Sequence, residues 1–207
     1  MSIAREYIEG LKAAYYRAGG EKVWDDFASV VCGVSKEERT ELIKTYPDIP
    51  ESLLTILDFA DGTYFRQYGE EEVSFFFFGS DVDNGEYPYY LYSAAELLEN
   101  KDIDYASNFA DLFYDFYEDN GAEQYGIFVD ERIRSDGSWL CFSDCCNNGG
   151  TSKLFIDLTP SENGKKGQII RYLHDPDELR VIADSFDDFL KMLITNGYKF
   201  ININTLE

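Results

Sequence analysis

The stretch that decides the fold runs from Trp139 to Tyr172 and reads WLCFSDCCNNGGTSKLFIDLTPSENGKKGQIIRY. It contains three short apolar runs separated by two turn signals, 147–150 and 163–167, whose Asn and Gly residues adopt positive φ at little cost. Apolar residues fall on both sides of these runs when the chain is extended. The pattern predicts a three-stranded antiparallel meander at about 138–173, in a sheet covered by helices rather than open to water.

Helical periodicity marks the segments that precede this meander. Apolar residues recur three and four positions apart in four segments, which are 3–18, 23–31, 39–46 and 53–60. Ser35 and Ser93 each have a glutamate three residues later, the spacing of a capping box, so helices are also expected to begin there. Val73–Gly79 is predicted to be a buried strand, and 87–92 an edge strand because Pro88 cannot donate to a central ladder.

Two further helices and a strand are expected in the second half of the chain. Aromatic and leucine residues between Phe109 and Tyr117 form a helical stripe with acidic residues on the opposite surface, which predicts an amphipathic acidic helix. Residues 125–129 are predicted to form a strand. A last helix is expected to begin at a cap, Asp184 or Ser185, with Ile182 in its apolar stripe, and the alternating tail 198–205 is compatible with an added strand.

Charge is the strongest compositional signal. The 207 residues include 40 acidic and 18 basic side chains, which gives a net charge of −22. This balance disfavours nucleic acid and anionic membranes as partners and favours a basic protein. Solubility or a salty habitat is the alternative explanation of the acidity.

Targeting and redox features predict a cytoplasmic protein. The N-terminus has no apolar segment after a basic start, and the longest purely apolar run, Phe75–Phe78, is too short to span a bilayer. The four cysteines are therefore expected to stay reduced. They lack the paired C-x-x-C arms of a zinc site, and the single His174 cannot complete one.

Catalytic and cofactor motifs are missing from the sequence. There is no G-x-S-x-G, P-loop or dinucleotide fingerprint, and one histidine leaves few bases for a nucleophile. Residues 81–86 resemble a calcium loop, but the glycine arrives one position early and no glutamate closes the loop. The expectation is a binding domain that performs no catalysis and holds no metal or cofactor.

Several motifs follow the order found in one known family. They are 46–62, with a helix that begins after a proline and is followed by a glycine, then Trp139–Asp144, Gly149–Gly150, 155–160, Gly164 with 167–170, and 182–190. In these residues the chain resembles the SUKH superfamily, which joins yeast cell-wall-synthesis regulators of the Smi/Knr type with bacterial immunity proteins. The resemblance covers roughly residues 40 to 195. It implies an α+β domain with an antiparallel sheet flanked by helices, no catalytic machinery, and a surface that holds a protein partner.

The resemblance also suggests a division of the chain. Residues 1–34 would be an N-terminal helical extension packed on the domain, 35–197 the SUKH-like domain, and 198–207 a tail. Residues 100–123 would be an acidic helical insertion. The extension and the insertion are longer than the minimal domain requires, so either could relocate the contact surface.

These observations lead to one main functional hypothesis and two alternatives. The main hypothesis is a cytoplasmic immunity protein that neutralises a cognate polymorphic toxin, with a basic nuclease as the preferred class. The alternatives are a Smi/Knr-type scaffold that recruits signalling or cell-wall enzymes, and a small-molecule or calcium-binding module. The candidate contact residues, chosen for exposure and polar chemistry, are Asp81, Asp83, Asp115, Glu118, Asp119, Asp144, Asn147 and Asn148. The expected core residues are Trp139, Phe142, Ile156 and Phe186.

Overall fold

A computed structural model describes residues 2–82, 88–109, 128–147, 150–174 and 178–206. The strands in these residues are β1 Arg66–Tyr68, β2 Glu71–Val73, β3 Tyr90–Leu91, β4 Phe128–Val129, β5 Trp139–Asn147, β6 Gly150–Asp157, β7 Ile169–Leu173 and β8 Glu178–Ala183. The helices are α1 Ile3–Arg17, α2 Glu21–Val30, α3 Lys36–Thr45, α4 Glu51–Phe59, α5 Ala94–Glu99 and α6 Phe186–Thr195. The fold is α+β, as the sequence predicts.

The main sheet is built on the predicted meander. Its strand order in the described residues is β3, β5, β6, β7, β8, β4, and β1 pairs with β2 in a separate two-stranded sheet. Strands β5, β6 and β7 are antiparallel neighbours, which confirms the meander. The remaining strand β4 runs parallel to β8. A register shift between Cys141 and Ser143 marks a bulge in β5.

The predicted helices that lie in the described residues are confirmed, together with three of their caps. The Ser35 hydroxyl accepts a hydrogen bond from the Glu38 amide at the start of α3. Ser93 and Glu96 form a complete capping box at the start of α5. The cap of α6 is Ser185, whose hydroxyl accepts from the Asp188 amide. Each cap satisfies amide groups that the first helical turn leaves without an intrahelical partner.

Aromatic side chains cover both faces of the main sheet. On one face, the Phe142 ring lies 5.6 Å from Phe78 and 5.3 Å from Phe186 of α6. On the other face, Phe155 lies 5.0 Å from Tyr105 and 5.4 Å from Trp139. The four core residues expected from sequence are all buried. The covered sheet predicted from the apolar alternation is therefore confirmed.

Phe75, Phe77 and Phe78 are buried, but the Phe75–Phe78 run is not the regular strand that the sequence predicts. Strand β2 ends at Val73, and Phe78 makes an isolated bridge with Tyr89. Tyrosine hydroxyls of α1 replace part of a ladder, because Tyr15 donates to the Phe76 carbonyl at 2.8 Å and Tyr7 to the Phe77 carbonyl at 2.6 Å. Side chains thus satisfy buried backbone groups that regular strand pairing would otherwise satisfy.

The outer edge of β3 is covered by Thr63, and the residue before β3 pairs with Phe78. The Thr63 amide donates to the Leu91 carbonyl at 2.7 Å, and the Thr63 hydroxyl accepts from the Leu91 amide at 2.8 Å. The Tyr89 amide donates to the Phe78 carbonyl at 2.8 Å. Strand β3 is an edge strand, as Pro88 indicates, but its backbone groups are occupied.

Two predictions near the C-terminus are wrong. Ile182 lies in strand β8 and not in the stripe of the last helix, because Leu179 and Val181 alternate inward and extend the sheet beyond β7. The tail forms no strand in the described residues, since Tyr198 has a positive φ of 59° and a short 3₁₀ helix follows at Ile203–Thr205. The predicted acidic helix lies almost wholly outside the described residues, as does most of the 125–129 strand.

Candidate protein-binding surface

The structure describes three of the eight residues predicted to contact a partner. Asp81, Asp144 and Asn147 lie in the described ranges. The other five, Asp83, Asp115, Glu118, Asp119 and Asn148, lie outside them. Asn147 is the last residue of β5 and pairs with Gly150 across the turn. A role in binding stays a prediction for all eight.

Asp144 is buried, which corrects the expectation that it is exposed on the turn. Strand β5 continues three residues past it, and the register places it opposite Lys153. Its carboxylate accepts from the Tyr92 hydroxyl at 2.6 Å and forms an ion pair with the Lys153 ammonium. The Lys153 ammonium also lies 5.6 Å from the centre of the Tyr92 ring. The group holds the β3 region against β5 and β6.

Asp81 is exposed, as expected, but its carboxylate pairs with a buried arginine. Its carboxylate lies 3.0 Å from Nη1 of Arg171, a β7 residue whose side chain is 2% exposed. The guanidinium also forms an ion pair with Glu178 of β8. Burial lowers the pKa of Arg171, and the Asp81 carboxylate opposes that shift. The pair therefore fixes the segment after Phe78 to the centre of the sheet.

A partly exposed group of aromatic residues forms the most distinctive surface of the described chain. Here it is named the aromatic surface, and its members are Tyr64, Phe65, Phe76 and Tyr90. Tyr90 is central, because its ring lies 4.8 Å from Phe76, 5.1 Å from Tyr64 and 6.0 Å from Phe65. Phe65 remains 54% exposed. Clustered aromatic side chains of this kind are typical of the energetic centre of protein interfaces.

Phe65 is held outward by a strained backbone. Its φ is 48°, in the left-handed region where a side chain costs roughly 1–2 kcal/mol. The turn that presents it begins at Gly62, with φ of 92°, where an added Cβ would lie 2.8 Å from the Ser93 backbone nitrogen. A large apolar ring is thus kept in solvent at a position that favours glycine.

The surroundings of the aromatic surface are acidic. The β1–β2 hairpin that follows Phe65 carries exposed Glu70, Glu71 and Glu72. Its one basic residue, Arg66, forms an ion pair with the buried Asp61 carboxylate at 2.7 Å. The side chains next to the aromatic surface therefore favour a cationic partner.

A scan against protein-family models matches residues 33–192 to the SMI1/KNR4 family (SUKH-1). The chain belongs to the SMI1/KNR4 family. The matched region contains the aromatic surface, the Arg171 ion pairs and the whole meander. A comparison with curated proteins gives no significant match.

Helices α1 and α2 precede the matched region of this SMI1/KNR4 domain. Helix α1 nevertheless contributes fully buried side chains to the common core, Tyr7 and Leu11 among them. The Tyr198 hydroxyl, beyond the other end of the match, donates to the Tyr7 carbonyl at 3.0 Å. The N-terminal helix and the tail are thus attached to each other and to the core.

The described residues of the SMI1/KNR4 domain offer neither a metal-binding cluster nor an activated buried thiol. Among the residues that the structure describes, no group of three His, Cys, Asp or Glu side chains could hold a metal ion. Burial raises the pKa of the Cys141 thiol to about 12, so this thiol stays protonated at neutral pH. No helix within the described ranges is long and apolar enough to cross a membrane.

The sequence does not predict the aromatic surface, for a physical reason. Tyr64 and Phe65 lie between a helix and a short hairpin, where no periodicity assigns a side. Two adjacent aromatic residues just after a helix-ending glycine were the available signal. Periodicity could not separate them from core residues such as Phe77.

Asp157 gives a pH-dependent prediction. Burial raises the pKa of its carboxyl to about 6, although Gln168 Nε2 donates to it at 2.9 Å. The folded state thus favours the protonated form, and this contribution to stability is complete below pH 4 and is lost as the pH rises through 6. The unfolding free energy of wild type, relative to Asp157→Asn, is expected to fall by about 2 kcal/mol between pH 4 and 7. Urea denaturation across this range measures it, and a constant difference contradicts it.

Proposed function

We propose that this chain is a non-catalytic protein-binding domain of the immunity type, which neutralises a basic toxin domain. A nuclease is the preferred class of toxin, because a nuclease cleft must be positive to hold phosphates and an acidic protein competes for that field. The match to the SMI1/KNR4 family supports a protein-interaction role in general. The observation that carries the proposal is the aromatic surface beside the acidic hairpin.

The two features would act at different stages of binding. The net charge of −22 accelerates encounter with a cationic surface, and this contribution weakens as salt rises. The aromatic surface supplies short-range contact area at low entropic cost, which mainly slows dissociation. Together they would hold the domain over the positive cleft of the toxin, so that the cleft is blocked by binding alone and no reaction is catalysed.

The test is neutralisation of the toxin encoded beside this protein, with Phe65→Gly as the decisive variant. The substitution removes the exposed ring and relieves the positive φ, so the free energy of unfolding should change by less than about 1 kcal/mol. Affinity for the toxin should fall by about tenfold or more. Growth rescue and binding kinetics at low and high salt provide the measurements.

Ile103→Gly is the matched control, because Ile103 is another exposed apolar loop residue, away from the aromatic surface. It should leave the affinity within about twofold of wild type. Absence of rescue by wild type across neighbouring toxins rejects neutralisation and favours the scaffold alternative. Full affinity of Phe65→Gly rejects the aromatic surface as the contact.

A further inference from the structure

A second surface lies on the side of the hairpin that faces α2. It is a groove of about 460 Å³, lined from the helix by Val23, Asp26, Phe27, Ser29 and Val30 and from the chain by Glu71, Glu72, Val73, Ser74 and Phe75. The α2 groove, as it is named here, belongs to neither the aromatic surface nor the buried ion pairs. Its volume lies within the usual range of ligand-binding clefts.

The hairpin side of the α2 groove is a strand edge. Residues 71–75 line the groove consecutively, and the first three of them form β2, so the groove runs along this strand. Within the described ranges, β1 is the one partner of β2, and the two-stranded sheet has no strand beyond β2. An edge of this kind offers backbone donors and acceptors to an incoming strand.

The groove has an apolar floor and wall. Phe27 and Phe75 stack with their ring centres 3.9 Å apart, and both are buried. Val23 is 37% exposed on the helix side, and Val30 is partly buried on the same side. Apolar side chains of an incoming segment could therefore bury area against α2 while its backbone pairs with β2.

The rim of the groove is negative. Asp26, Glu71 and Glu72 are exposed there, and among the described residues neither lysine nor arginine lines the groove. Lys22, one turn before Asp26 on α2, forms an ion pair with it. The charge pattern favours a segment with basic side chains and opposes a second copy of this acidic chain.

We propose that the α2 groove binds an extended cationic segment of the partner protein, which adds a third strand beside β2. The inference rests on the proposed function, since the toxin would supply this segment. Strand β2 supplies three residues of pairing edge, and the groove-lining run 71–75 extends at most roughly 17 Å at about 3.3 Å per residue, so it matches a segment of three to five residues. Basic and apolar residues would alternate along it, to match the rim and the floor. Helix α2 precedes the family-matched region, so the groove combines a family element with an added one.

The experiment uses a short fluorescein-labelled peptide in which lysine and valine alternate. Its affinity for the full-length protein is measured by fluorescence anisotropy at physiological salt, and amide hydrogen exchange locates the bound site. We expect added protection of amides in 71–75, except that of Phe75, which already donates to the Thr63 carbonyl. We also expect an affinity about tenfold weaker for the double variant Glu71→Lys, Glu72→Lys. The matched control is Glu37→Lys, Glu41→Lys on α3, which makes the same change of net charge away from the groove and should change affinity less than twofold.

Strand addition is separated from charge attraction by N-methylation. Two further peptides carry backbone methyl groups on alternate residues, one in each of the two possible frames. One frame blocks the edge that pairs with β2 and should weaken binding by about tenfold, whereas the other should bind as the parent peptide does. Equal binding of both frames, or equal losses from the α2 groove and α3 variants, overturns the proposal.

The outcomes are distinguishable from failure of the proposed function. Groove variants that neutralise the toxin fully, with no protection in 71–75, reject the groove and leave neutralisation standing. A peptide that binds the groove of a protein unable to neutralise any neighbouring toxin supports the groove and rejects the immunity role.

Discussion

Replacement of Phe142 with alanine is expected to lower the free energy of unfolding by about 3–5 kcal/mol. The ring is completely buried in β5 and contacts Phe78 of the 75–78 run and both Phe186 and Phe189 of α6. These neighbours are large and mutually packed, so they cannot collapse into the space that the ring leaves. Urea denaturation followed by circular dichroism measures the loss.

Phe65→Ala is the matched control for this prediction. It removes the same atoms from a ring that is more than half exposed, so the loss should stay below about 1.5 kcal/mol. Similar losses for the two variants would contradict the assignment of Phe142 to the centre of the core.

Arg171→Ala is expected to destabilise the protein by a similar amount, about 3–5 kcal/mol, for an electrostatic reason. The substitution leaves the Asp81 and Glu178 carboxylates, whose side chains are 25% and 22% exposed, without their shared cation. Hydrogen exchange of the amides around Ser80–Val82 should accelerate, because this ion pair fixes Asp81 to the sheet. Denaturant titration and exchange measurements together test the prediction.

Two variants make the reason for that loss testable. Arg180→Ala removes a neighbouring arginine that is 48% exposed, so it should cost less than about 1 kcal/mol. The triple variant Arg171→Met, Asp81→Asn, Glu178→Gln removes all three charges and should recover at least about half of the stability lost in Arg171→Ala. A triple variant as unstable as the single one would show that packing, and not unpaired charge, causes the loss.

The parts of the fold that sequence could predict are those with local physical signals. The meander has alternating apolar residues and glycine turns, and the helices have stripes and caps, so each is readable within about ten residues. Strand β8 was missed because a helix begins three residues after it, and Ile182 fits either periodicity. The Phe75–Phe78 run was misassigned because its rings contact different elements, which no local pattern records.

The candidate site was less predictable because it depends on partners distant in the chain. Asp144 was expected on a surface turn, but the length of β5 and the position of Lys153 on β6 place it inside. Asp81 forms an ion pair with Arg171, which lies ninety residues later in the sequence. The exposure of Phe65 follows from one backbone angle, which its sequence neighbours do not determine.

The covered edge of β3 affects how readily the protein associates with itself at high concentration. Open edges allow sheets to join between molecules, and here Thr63 and Phe78 occupy the backbone of that edge from within the same chain. Because these groups are occupied, the β3 edge cannot pair with the same edge of a second molecule. Stacking of sheets into fibres is thus discouraged at this border, even before the mutual repulsion of so many carboxylates is considered.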